Sequence, residues 1–178
     1  MTASQLAGDA AVLEALVDEH YGAMHRLARL VGREPARARA VVRAAWKTAL
    51  ERPNERNPET SVRGWLLRLV LVELAAPQPP TTFAPAAAAH ELEPEDSRWA
   101  GWWRDGLPPT PDAEHEALEA AIASLPPGLT TLLVLRDVEG LEAAEVAAIT
   151  GHSPDHQLDF LQHARAAVRN ALRAEMAS

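Results

Sequence analysis

The stretch Leu125-Pro126-Pro127-Gly128-Leu129-Thr130-Thr131-Leu132-Leu133-Val134-Leu135-Arg136-Asp137-Val138-Glu139-Gly140-Leu141, continued by Glu145-Val146-Ala147, Gly151 and Ser153-Pro154, decides the fold. Its apolar spacing predicts a helix from Leu129 to Val138 and, after Glu139-Gly140, a short helix from Leu141 to Thr150 that ends at Gly151. Ser153-Pro154 starts another helix, with an N-cap followed by a first-turn proline. That last helix places Leu158, Leu161, Ala164, Val168 and Leu172 on one face. A short helix, a tight glycine-containing turn and a longer capped helix read as a helix-turn-helix. Ahead of it, Asp112 is placed to cap a helix through Leu118, Ala121, Ile122 and Leu125, with Pro126-Pro127-Gly128 as a break.

Working outward, the N-terminal part carries the same period. Leu13, Leu16, Val17, Tyr21, Met24, Leu27, Ala28 and Val31 recur at three- and four-residue steps, with Asp9 placed to cap the helix and Gly32 to stop it. Pro35 opens a second helix that buries Ala38, Val41, Val42, Ala45, Trp46 and Ala49, leaving Arg37, Arg39, Arg43 and Lys47 elsewhere on its circumference. A loop over Arg52 to Thr60 precedes a third helix from about Ser61 to Ala76. Three helices joined by short loops make a bundle.

Between these parts, Pro77 to about Pro111 holds most of the prolines, an Ala run, an acidic stretch and Arg98-Trp99-Ala100-Gly101-Trp102-Trp103-Arg104. No helical period survives, so the segment reads as a linker. Trp99, Trp102 and Trp103 either dock onto one of the helical domains or serve as aromatic anchors for a partner. The expected architecture is all-α: a three-helix domain over 1–76, a linker over 77–111 and a helix-turn-helix domain over 112–178.

Composition narrows the function classes. The 178 residues are 47% hydrophobic but only 4% aromatic, a bias toward Ala, Leu and Val that favours helices. There is no Cys, which excludes disulfides, thiolate zinc sites and thiol nucleophiles and suits a reducing, cytoplasmic setting. No signal peptide or membrane span is legible. The net charge of −8 is uneven: residues 1–76 hold 11 Lys or Arg against 9 Asp or Glu, a net +2, and residues 77–178 hold 6 against 16, a net −10. A bound polyanion would therefore meet the N-terminal part more readily.

Individual side chains carry less. Arg37, Arg39, Arg43 and Lys47 read either as a solvated helix face or as a binding stripe. Arg165 and Arg169, four apart, either contact phosphate or favour the C-terminal half of their helix through its dipole. His156, Asp159 and His163 share a face near His152 and Asp155, but a zinc site needs about four converging ligands and the chain supplies no further one, so no metal or cofactor is expected. A pH-sensitive surface is the other reading of these histidines. No phosphate loop, nucleophile elbow or supported carboxylate pair is present, and the chain is not read as an enzyme.

The quoted 125–151 stretch, with Ala164-Arg165-Ala166 and Val168-Arg169, resembles domain 4 of extracytoplasmic-function (group IV) RNA polymerase sigma factors. Asp18-Glu19-His20-Tyr21, Leu27-Ala28-Arg29 and Trp65-Leu66-Leu67-Arg68-Leu69 resemble their domain 2, and the Trp- and Pro-containing linker looks like that of actinobacterial members. The resemblance implies core RNA polymerase, promoter DNA and an anti-sigma factor as partners. It places polymerase contacts at Arg39, Val42, Arg43 and Trp46, DNA contacts at His156, Gln157, Gln162, His163, Arg165 and Arg169, and linker contacts at Trp99, Trp102 and Trp103. The chain departs from the family where Arg39, Ala40 and Arg43 replace acidic and amide residues of the second helix. It departs again at Val72 and Glu73 of the third, and at Asp155 and Asp159 of the recognition helix. Two functions follow: a sigma-factor-like initiation regulator that binds polymerase and promoter DNA, or a degenerate relative that no longer reads promoters and acts by binding an anti-sigma factor or polymerase.

Overall fold

The computed structural model describes residues 10–58, 60–76 and 113–176; Asp9, Asp112, the linker and its tryptophans lie outside the described residues. Among the described residues seven α-helices follow one another: α1 (Ala10–Gly32), α2 (Pro35–Glu51), α3 (Val62–Ala75), α4 (Ala113–Ala123), α5 (Pro127–Leu133), α6 (Ala143–Thr150) and α7 (Pro154–Met176). A 3-10 turn at Pro53–Glu55 follows α2, and a five-residue π-helical turn, Val134–Val138, extends α5. No strand occurs among the described residues. The all-α architecture of two helical domains, the second a helix-turn-helix, is the one the periodicity predicts.

In the N-terminal domain, α1, α2 and α3 pack pairwise around Met24, Leu27, Val42, Ala45, Leu66 and Val70. The Ser61 hydroxyl caps α3 by accepting from the Gly64 N–H at 2.9 Å. Gly32 does not end α1 in the expected way. It is the last helical residue, and the left-handed conformation falls on Arg33, at φ 56°. Gly32 serves a close approach instead, since a Cβ there would lie 2.8 Å from the Leu74 side chain of α3.

In the C-terminal domain, α7 is the spine against which α4, α5 and α6 pack. The break before α5 falls at Ser124–Pro126; Pro127 begins the helix and Gly128 lies in its first turn. Buried Thr130 secures that corner, its hydroxyl lying 3.2–3.3 Å from the carbonyls of Ile122, Leu125 and Pro126. Gly151, at φ 77°, terminates α6. Ser153 stands just before α7 and accepts from the His156 N–H at 3.4 Å, as a capping serine should.

The two domains are packed together. α1 touches α4 and α5, α3 touches α6, and buried apolar residues of both halves form one continuous core.

Candidate functional site

Three surfaces could carry function: the exposed face of α7, the exposed face of α2, and the seam between the domains. Each is set by which helical positions point inward.

On α7 the inward line is Gln157, Leu161, Ala164 and Val168, at steps of four, three and four. Leu161, Ala164 and Val168 are the inward residues expected, and the difference is confined to the first position of the line. Leu158, expected in the core, is 54% exposed, while Gln157, expected at a DNA edge, is 1% exposed. The Gln157 amide donates to the Ala143 carbonyl at 2.9 Å and the His152 carbonyl at 2.8 Å, tying α6, the turn and α7 together. It belongs to the helix-turn-helix core and has no surface to offer a base.

The outward face of α7 carries Asp155, His156, Asp159, Gln162, His163, Arg165 and Arg169. His163 Nδ1 lies 2.8 Å from the Asp159 carbonyl. The Arg165 guanidinium forks onto the Asp137 carboxylate with two bonds of 2.7 Å, and this hydrogen bonding raises its pKa further. The first two turns of this face therefore expose carboxylates and no Lys or Arg, and the first Arg beyond them is already engaged. Among the described residues no three His, Asp or Glu side chains converge as a metal site.

On α2, Arg39 and Arg43 are exposed and Trp46 is half-buried. Val42 is 1% exposed and packed in the core, because it lies on the same inward face as Ala38, Val41, Ala45 and Ala49. It cannot act as a surface contact to polymerase. Across from these residues, the Tyr21 and His25 rings of α1 stack 5.8 Å apart.

The seam holds what sequence reasoning missed. Glu139 has a side chain that is 0% exposed, and Arg26 of α1 donates to it from Nε at 2.8 Å and from Nη2 at 3.2 Å. Arg63 of α3 donates to Oε2, the oxygen that also accepts from Arg26 Nη2. The widened π turn explains the placement: the Glu139 N–H bonds back to the Val134 carbonyl at 2.8 Å, and Gly140 then turns the chain at φ 69°. Around this pair, Arg29 reaches Glu119, Arg33 reaches the Leu125 carbonyl, and Glu145 accepts from the Ser61 N–H at 2.8 Å and from its hydroxyl. The local sequence signal for Glu139 was no more than its place between Val138 and the glycine turn at Gly140. Arg26 and Arg63 carried no signal beyond their charge.

Two histidines of α1 are affected by packing. His20 is buried and its pKa is lowered by desolvation, with Glu19 opposing and Arg63 adding to the shift. His25 is lowered by burial and then by the charges of Arg29 and Arg39.

No family model matches the chain, and no curated protein matches it. Solved structures do. The chain is similar to CnrH, solved in complex with the cytosolic domain of CnrY, at 21% identity and a TM-score of 0.65, covering 97% of this chain and 95% of that one. It is also similar to the sigma factor RpoE, solved with the anti-sigma factor NepR from Bartonella quintana, at 13% identity and a TM-score of 0.65, covering 90% and 96%. The likeness spans both helical domains, so the chain has a sigma-factor-like fold. No described helix is long and apolar enough to cross a membrane.

Proposed function

We propose that this chain is a cytoplasmic, non-enzymatic regulator of transcription initiation, an extracytoplasmic-function sigma factor of actinobacterial-like type that binds core RNA polymerase and promoter DNA. The observation that carries the reading is the fold itself: a three-helix domain and a capped helix-turn-helix domain, together matching a sigma-factor structure over nine-tenths of both chains. In this reading the domains run over 1–76 and 112–178. Arg39, Arg43 and Trp46 on α2 are the polymerase-facing residues in this reading, and His156, Gln162, His163, Arg165 and Arg169 the DNA-facing ones. Trp99, Trp102 and Trp103 are linker contacts. Both solved neighbours are complexes with a second protein, one of them an anti-sigma factor. That supports an anti-sigma partner here.

The outward face of α7 favours a second reading, in which the protein no longer reads promoters and acts by binding polymerase or an anti-sigma factor. Asp155 and Asp159 occupy the turns that would approach the groove, and phosphates repel carboxylates. DNA titrations at several salt concentrations, with core polymerase present, decide between the two. Tight, sequence-selective binding on genomic fragments supports the first reading. Retention of polymerase without selective DNA binding on any fragment supports the second.

A further inference from the structure

Arg39 and Arg43 are one turn apart on α2, about 6 Å along its axis, so their stems leave the helix side by side. Both are exposed, and among the described residues neither has an ion-pair or hydrogen-bond partner, whereas Arg26, Arg29, Arg33, Arg63 and Arg165 are all engaged. Trp46 continues their row at the next turn, half-buried, with its Nε1 lacking a hydrogen-bond partner among the described residues. Facing them from α1 are Tyr21 and His25, stacked at 12° between planes. Burial raises the Tyr21 pKa while the charges of Arg39 and Arg43 pull it back, so both guanidinium groups lie within electrostatic reach of that ring.

Two free guanidinium forks beside a half-buried aromatic floor form a surface for paired carboxylates with an apolar flank. We propose that this exposed α1–α2 face binds an acidic helical segment of a partner protein. Two of its carboxylates, four residues apart, pair with Arg39 and Arg43, and its apolar flank lies on Tyr21 and Trp46. The inference rests on reading α2 as a partner-binding face and adds the chemistry of the partner. A nucleic-acid strand fits less well. Glu14 and Asp18 are exposed on α1 in the same row as Tyr21 and His25, at steps of four, three and four, so a continuous phosphate backbone leaving the arginines along α1 meets two carboxylates. A protein helix needs acidic residues only where the arginines are.

The test uses the full chain and three probes: a capped alanine-rich helical peptide with two Glu four residues apart beside a Leu, the same peptide with Lys for Glu, and oligo(dT). Backbone amide shifts are followed by NMR. The Glu peptide should give saturable shifts at Tyr21, His25, Arg39 and Arg43. Binding should weaken at least tenfold in the Arg39→Glu/Arg43→Glu variant, which should melt as the parent does and gain affinity for the Lys peptide. No saturable shift, unchanged affinity in the variant, or oligo(dT) binding mapped to these arginines would overturn the proposal. Pull-down of core polymerase separates this from the broader reading. A parent that does not retain core polymerase but still binds the Glu peptide at these residues removes that reading alone. A parent that retains polymerase but shows no saturable binding of the Glu peptide removes this proposal alone.

Discussion

The two domains differ in the charges they leave on their candidate binding helices. The N-terminal bundle leaves Arg39 and Arg43 exposed and unpartnered on α2, while the C-terminal domain ties Arg165 to Asp137, turns Arg136 onto the Leu141 carbonyl and shows carboxylates on α7. Where they meet, cations of the first bundle engage acceptors of the second: Arg26 and Arg63 with Glu139, Arg29 with Glu119, Arg33 with the Leu125 carbonyl. The division into a net +2 part and a net −10 part therefore serves, at least in part, to hold the molecule to itself. An uneven charge distribution is not by itself evidence of an external polyanion.

The sharpest way to break this arrangement is Glu139→Ala. It leaves two guanidinium groups facing each other at the seam. The expected loss is about 3 kcal/mol in urea unfolding, the low end for a broken buried pair because both arginines are about 40% exposed and can turn to water. An unchanged midpoint would show that the Arg26–Glu139–Arg63 cluster contributes nothing to stability.

Next is Gly64→Ala. A Cβ there collides with the Glu145 carboxylate, which must leave the Ser61 N–H and hydroxyl. The lost bonds are partly offset by the better helix propensity of alanine, so a net cost of about 1 kcal/mol is expected, read as a lowered melting temperature. If Glu145→Ala destabilises as much as the double variant, the two effects act through the same contact.

Within the C-terminal domain, Ser153→Ala should cost about 1 kcal/mol by removing the α7 cap. Thermal denaturation that leaves the variant indistinguishable from the parent would discount the cap.

Acid should weaken the N-terminal bundle. His20 and His25 have lowered pKa values in the folded chain, so between that value and the ordinary 6.5 the unfolded chain binds more protons. Their contribution is present above about pH 6.5 and is lost as the pH falls through the folded values. Denaturation curves between pH 7.5 and 5 should show it, and a His20→Asn/His25→Asn variant should flatten the dependence.

The smallest stability effect is expected at the exposed Asp137–Arg165 pair, less than about 1 kcal/mol for Asp137→Asn. Its value lies in DNA binding. Freeing Arg165 should steepen the salt dependence of any DNA affinity by about one unit, and Asp155→Lys/Asp159→Lys should create nonspecific affinity. Titrations that remain flat in both variants would mean that α7 does not approach phosphates.

Much of the fold was legible because helices announce themselves locally. Ser61, Pro35, Gly151 and Ser153-Pro154 stand at helix ends where their backbone preferences are needed, and the inward residues of α2 follow its period. The errors came where tertiary contact overrode local pattern. Leu158 and Gln157 exchanged roles because the Gln157 amide donates to the Ala143 and His152 carbonyls and ties the turn to both helices, which a leucine at that position cannot do. Val42 read at once as core and as contact, and packing allows only the first.

The sequence by itself determined the all-helical class, the two-domain division, the helix-turn-helix and the charge asymmetry, since propensity, capping and periodicity act within a few residues. Only the tertiary structure decided that Glu139 would be buried between Arg26 and Arg63, that Arg165 would be claimed by Asp137, and that Arg39 and Arg43 would be left unclaimed. Those outcomes join residues from 28 to 113 positions apart, and no local pattern encodes which distant charge a side chain will meet.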